Sequence, residues 1–224
     1  TESYRDEIEE TTLVTGNPHT QTVFRDRTFP PKETIPFASL NWSTVEKDAF
    51  NEVFSHWESH RTDGYGVLPR PITDRAISEG RSGDTERLIV HYMQPHIPYI
   101  GTAVDSNREL TSAEKDGWRA VKNGTAHRSD VWEAYKDNLR YILTEVELLL
   151  SNVEADRVCI TADHGNAFGE FGVYGHPEGF PHPYIKRVPW VETTAQDSGT
   201  YEPKTPEKVT HEGSEEILKD LGYL

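Results

Sequence analysis

Cysteine is almost absent from this chain. The one cysteine among 224 residues, Cys159, leaves no internal disulfide framework and no zinc centre built on several thiolates. Lying in the apolar run RVCITA, it reads as a small buried side chain rather than a nucleophile. Methionine is equally scarce: Met93 is the only one and the chain opens on Thr1, so an upstream segment is expected outside these residues. No apolar run approaches the roughly 18 residues that a membrane-spanning helix needs, and no signal peptide is evident. Lysine is sparse too, with nine Lys and fourteen Arg against 38 Asp plus Glu, for a formal charge of -15. Without clustered cations the chain offers no footprint for nucleic acid or for an anionic membrane surface. The acids are spread along the whole length, which suits a surface that must stay hydrated in high salt. A halophilic source and a cytoplasmic location are the expectations. The melting temperature should then rise between low and molar KCl, because screening relieves carboxylate repulsion. A thermal scan that stays flat or falls with KCl would rule against the halophilic reading.

At this length one sizeable domain with a continuous core is expected over residues 1–224. TTLVTG (11–16), RLIVHYM (87–93) and RVCITA (157–162) are short, continuous and rich in β-branched residues, the pattern of strands buried on both faces of a mostly parallel sheet. A fourth strand, RVPWVET, begins at Arg187. Helical periodicity is strongest from Val131 to about Val153, where Trp132, Tyr135, Leu139, Ile142, Leu143, Val146, Leu149 and Leu150 form an apolar stripe. Ser129 or Asp130 would cap it. A weaker helix is expected over Thr44 to Trp57, another starts near ITDRAI, and EEILKDLGYL closes the chain. Alternation of strand and helix predicts an α/β fold with helices on both faces of the sheet. In such folds working residues gather beyond the carboxyl ends of the strands.

Two segments fall there. In VCITADHGNAFGEFGVYGHP, Asp163 and His164 follow a strand, Gly165 permits a sharp turn, and His176 returns after a glycine-rich loop. An adjacent carboxylate and imidazole suit a borderline divalent cation such as Zn²⁺ or Mn²⁺. The same triplet also fits an ordinary loop in which Asp163 caps a helix and His164 is merely exposed. In HYMQPHIPYIG, His96 stands between prolines in a rigid extended connection. His91 reads as packing against the sheet, and His182 and His211 lie in proline-rich or terminal segments with no evident role.

ITADHGNAFGEFGVYGHP followed by RVPWVE resembles the C-terminal metal-binding segment of the alkaline phosphatase superfamily, in its sulfatase-like branch. HYMQPHIPYIG is similar to the strand and His-Pro loop of that branch. WEAYKDNLRYILTEVELLL resembles its preceding helix, and VTGNPHT an early strand of archaeal sulfatase-like proteins. ADHGN also occurs in cofactor-independent phosphoglycerate mutases of the same superfamily. The resemblance implies a metal-dependent hydrolase of small-molecule or glycan phosphate or sulfate esters. Asp163 and His164 would ligate a divalent metal (Zn, Mn, Mg or Ca), with His96 and His176 at the transferred group. It further implies a first strand bearing a metal-binding Asp and a Ser, Thr or formylglycine nucleophile. Neither has a match here, so both are expected outside the 224 residues. A phospho-headgroup transferase on the same scaffold and a non-catalytic binding member of the superfamily are the alternatives.

Overall fold

The computed structural model describes residues 4–18, 20, 47–56, 61–62, 66–177 and 180–204. The segment EEILKDLGYL and His211 lie outside them. In chain order the elements are α1 (Arg5–Glu9), β1 (Thr11–Thr15), β2 (Glu52–Ser55), β3 (Arg61–Thr62), β4 (Gly66–Val67), α2 (Arg70–Ser82) and β5 (Arg87–His91). There follow α3 (Gly101–Asp105), α4 (Ser112–Asp116), α5 (Trp118–Lys122), α6 (Arg128–Leu150) and β6 (Ala155–Thr161). The chain then forms β7 (Ala167–Phe168), β8 (Tyr174–Gly175), α7 (Pro183–Lys186) and β9 (Trp190–Ala195). No helix among the described residues is long and apolar enough to cross a membrane.

The fold is mixed α/β with a small parallel sheet of order β2-β1-β5. β1 is central, with Leu13 opposite both Val53 and Ile89, and Thr15 opposite Ser55 and His91. The α2 helix opens at the Pro69 and Pro71 positions and ends at Gly83, which takes the left-handed conformation at φ 79° that a side chain would resist. It packs on β1 and β5 and buries Ile72 against Val14 and Val67, with Phe54, Leu88, Val90 and Tyr92 around them.

The strand expected at Arg187 begins at Trp190 instead and runs antiparallel to β6, so these two form a separate sheet. Burial on both faces is not what β6 receives. Ala155, Val158 and Ala195 join a core with Ile77 and Val153, but Cys159 is exposed and Trp190 and Val191 face solvent. The expected helix over 44–57 is replaced, in its described part, by a 3-10 turn (Lys47–Ala49) and by β2. The long-range partner decides here: Val53 and Phe54 find Leu13 and Val14 in register on β1, which overrides a marginal helical periodicity.

The α6 helix starts at His127, whose N–H donates to the Asp130 carboxylate at 3.4 Å, rather than at a Ser129 or Asp130 cap. Its buried positions are Val131, Asn138, Ile142 and Glu145, whereas Leu139 and Leu143 of the expected apolar stripe are exposed. The rotation follows from what the helix meets. The α2 and α3 helices pack on it and present a guanidinium and backbone polar groups. The Glu145 carboxylate takes a bidentate grip from Arg70 (2.8 to 3.1 Å) and a hydrogen bond from the Thr73 hydroxyl (2.9 Å).

Candidate functional site

Three separate segments bring their side chains together beyond the ends of β5 and β6. Asp163 and His164 follow β6, which is tied to β9 by the pairing of Thr161 with Trp190 and by the Thr161 hydroxyl donating to Pro189 O at 2.8 Å. Gly165 is held by its N–H on Ile185 O (2.8 Å), and a Cβ there would stand 2.1 Å from Tyr184 O. The glycine therefore serves close backbone approach. The sharp turn expected of it needs no left-handed φ, since Gly165 is not among the positive-φ glycines.

His176 follows the β7–β8 hairpin, in which Ala167 pairs with Gly175 and Phe168 with Tyr174. Phe168 wedges edge-on among Trp118, Trp132 and Tyr135 at centroid distances of 4.6 to 4.9 Å. These edge-to-face contacts anchor the hairpin to α5 and α6. The Glu170 carboxylate accepts the Phe168 N–H, and that bond holds its pKa below the usual range. His96 lies on the loop after β5, with its N–H on Met93 O at 2.9 Å.

The rings converge. His164 and His176 lie 4.1 Å apart by centroid, and His176 and His96 5.9 Å. Asp163 Oδ2 is 3.6 Å from His164 Nε2, while its Oδ1 accepts the His164 N–H at 2.9 Å. Partial burial, and then the like charge that His164 and His96 would carry, push the His176 imidazole below its ordinary pKa. The structure also places a residue here that was expected only to pack. His91 ends β5, its Nδ1 is 3.2 Å from the Thr15 hydroxyl, and Asp163 is near enough to act on it electrostatically. Burial outweighs that attraction and lowers the pKa of His91. Its only signal in the sequence was its position at the end of the apolar run RLIVH; its place opposite Thr15 is seen only in the structure. Asn166 joins the same loop with a buried Oδ1 that has no hydrogen-bond partner. His182 is buried instead as the cap of α7, accepting the Tyr184 N–H at 3.3 Å.

Two imidazoles are oriented by their own backbone. His164 Nδ1 is 3.0 Å from Gly165 O, and His96 Nδ1 is 2.7 Å from Ile97 O. A carbonyl only accepts, so Nδ1 carries a proton in each and Nε2 is the nitrogen left to face the site. That arrangement is the one a metal-ligating histidine uses. Two bonds of about 2.1 Å meeting at a tetrahedral angle set their donors about 3.4 Å apart, close to the separation of Asp163 Oδ2 and His164 Nε2. The pair fits two positions of a cation's shell. Among the described residues no group of three or more His, Cys, Asp or Glu side chains is arranged to complete it. The hydroxyls flanking the site are engaged: Thr15 is fully buried and accepts the Asn17 N–H at 3.0 Å, and Thr161 is bound to Pro189.

No protein-family model, curated protein or solved structure matches the chain.

Proposed function

We propose that this chain carries half of the centre of a metal-dependent hydrolase of phosphate or sulfate esters. The observation behind this reading is the convergence of Asp163 Oδ2 and His164 Nε2 at 3.6 Å beside the His176 and His96 rings. A divalent cation held by Asp163 and His164 would withdraw charge from the ester oxygens. The chain's own residues do the rest. The Gly165 carbonyl holds the Nδ1–H of His164, which leaves Nε2 as the nitrogen that would face the cation. His96 already commits its Nδ1–H to Ile97 O, so a proton taken up at Nε2 makes it both a donor and a counter-charge for the transferred group. His176, whose pKa is lowered first by partial burial and then by the neighbouring imidazoles, would offer a ring N–H to a second ester oxygen. A second reading, a binding protein that does not turn over its ester, draws on the incomplete ligand group and the engaged hydroxyls.

Two outcomes are expected. The 224-residue chain alone should hydrolyse model phosphate and sulfate esters negligibly, because the hydroxyls flanking the described site are buried (Thr15) or committed to a carbonyl (Thr161). Metal-dependent turnover that disappears on mutating one of its own Ser or Thr residues would show that the nucleophile lies within it. In Mn²⁺, His96→Ala should weaken orthophosphate binding about tenfold, or about 1.4 kcal/mol, as read by calorimetry, while Mn²⁺ affinity holds. Equal phosphate affinity in both proteins would remove His96 from the site.

A further inference from the structure

We propose that Asn138 is a positioning residue that fixes the orientation and tautomer of His96 from the middle of α6. Asn138 is completely buried. Its Nδ2 donates to His96 O at 3.2 Å and its Oδ1 accepts the Ile100 N–H at 3.1 Å. The amide orientation follows from its partners, a carbonyl at one end and an N–H at the other. One side chain thus bridges residues 96 and 100 of the loop, which also carries the His96 N–H bond to Met93 O. The neighbouring Asp137 takes the Thr102 N–H at 2.7 Å and also its hydroxyl, and a Cβ at Gly101 would press to 2.5 Å from the same carboxylate. Two adjacent residues of α6 therefore hold the loop at 96 and 100 and the start of α3 at 102, and of these contacts the Asn138 bond is the one made to His96.

Helix stability does not account for an asparagine here. Asn is a poor helix former, and Val131 and Ile142 share its buried face, where a leucine would add apolar burial. The consequence of the bond is local and specific. With the His96 N–H on Met93 O and its C=O on Asn138, the peptide planes on both sides of His96 are set. The following carbonyl, Ile97 O, is then placed where Nδ1–H meets it at 2.7 Å, which leaves Nε2 facing outward beside His176. Without Asn138 the His96 carbonyl loses its donor, the His96–Ile97 peptide is held less firmly, and the ring's bond to the acceptor that selects its tautomer weakens.

The functional meaning of this rests on the proposed role of His96, but the test does not. Histidine-labelled protein is observed by long-range ¹H–¹⁵N correlation, with His96 assigned from the signal lost in His96→Gln. At a pH high enough to leave the rings neutral, the wild type should place the proton on Nδ1 in both His96 and His164. In Asn138→Leu the His96 pattern should move to the Nε2–H form usual in water, or average between the two, while His164 stays as it was. Asn138→Asp is the second variant: it keeps the acceptor for Ile100 but turns a carboxylate oxygen toward His96 O, and it should release His96 in the same way. A residue that only stabilises the fold would lower the melting temperature and leave the tautomer alone. An unchanged His96 pattern in either folded variant overturns the proposal. Orthophosphate titration in Mn²⁺ separates the two ideas. A tenfold weaker phosphate affinity in Asn138→Leu, at Mn²⁺ affinity within twofold, extends the positioning role to the ester site. A tautomer switch in Asn138→Leu together with a wild type that binds no phosphate sinks the hydrolase reading and leaves the positioning role standing.

Discussion

Arg70→Ala is expected to cost about 3 kcal/mol of stability, the lower end of the roughly 3–5 kcal/mol that follows when one partner of a buried ion pair is removed. Glu145 is 2% exposed and sits in the interior of α6, while the Arg70 side chain is about half exposed. Water can therefore follow the truncation part of the way in, which sets the estimate at the low end. The loss is not of a surface salt bridge, worth about 0–1 kcal/mol, but of the cation that lets a carboxylate stay in the interior. The Thr73 hydroxyl, itself near Tyr92 at 3.0 Å, remains on Glu145 but carries no charge. For a chain of this size the melting temperature should fall by roughly 6–12 °C. The double variant Arg70→Met/Glu145→Leu should recover most of that, because neither half of the pair is then left buried and alone. A drop of 2 °C or less in Arg70→Ala, by differential scanning calorimetry, would mean that Glu145 finds adequate solvation without the guanidinium.

Gly165→Ala should be as damaging and should strike the site itself. The added methyl meets backbone on two sides, Tyr184 O at 2.1 Å and Arg187 O at 2.9 Å, and neither can rotate away as a side chain could. Either the strand end or the α7 segment must shift by more than 1 Å, roughly the gap to ordinary contact, and the Gly165 N–H to Ile185 O bond is lost with it. Overpacking of this kind costs about 1–3 kcal/mol and occasionally more. Gly124→Ala is the informative comparison. Gly124 has open space around it but a φ of +72°, so its penalty is conformational alone, about 1 kcal/mol. Gly165→Ala should exceed Gly124→Ala in stability loss and should alone expose the segment 182–187 to proteolysis. The reverse order would show that the crossing of these two segments is looser than drawn.

The short β-branched runs were legible because a strand's composition is a local property, and β1, β5 and β6 lie within two residues of where they were expected. Asp163, His164, His96 and His176 could be singled out because strand ends and glycine- or proline-rich loops are visible in the letters. What could not be read depends on partners distant in sequence. The segment 52–55 has a weak helical period, and only its register with Leu13 and Val14 makes it a strand. The apolar stripe of α6 was counted without knowing that Arg70 and the Ile100 N–H would draw Glu145 and Asn138 inward. Cys159 sits in a run that looks buried, yet among the described elements β6 pairs with β9 alone. Asn138 left one usable signal: it shares the helical face of Val131 and Ile142, where a polar residue calls for a partner.

The central claim is that Asp163 and His164 hold one divalent cation together, and calorimetric titration of Mn²⁺ or Zn²⁺ into wild type, Asp163→Asn and His164→Ala tests it most directly. Asparagine keeps the shape of Asp163 and its hydrogen bond to the His164 N–H but removes the charge, so it separates coordination from packing. A two-residue site has little redundancy, and each substitution should weaken binding at least tenfold while the melting temperature without metal stays within about 2 °C of wild type, roughly 1 kcal/mol or less. If all three proteins bind the ion with the same affinity, or none binds it, Asp163 is a turn-forming side chain and the centre described above does not exist.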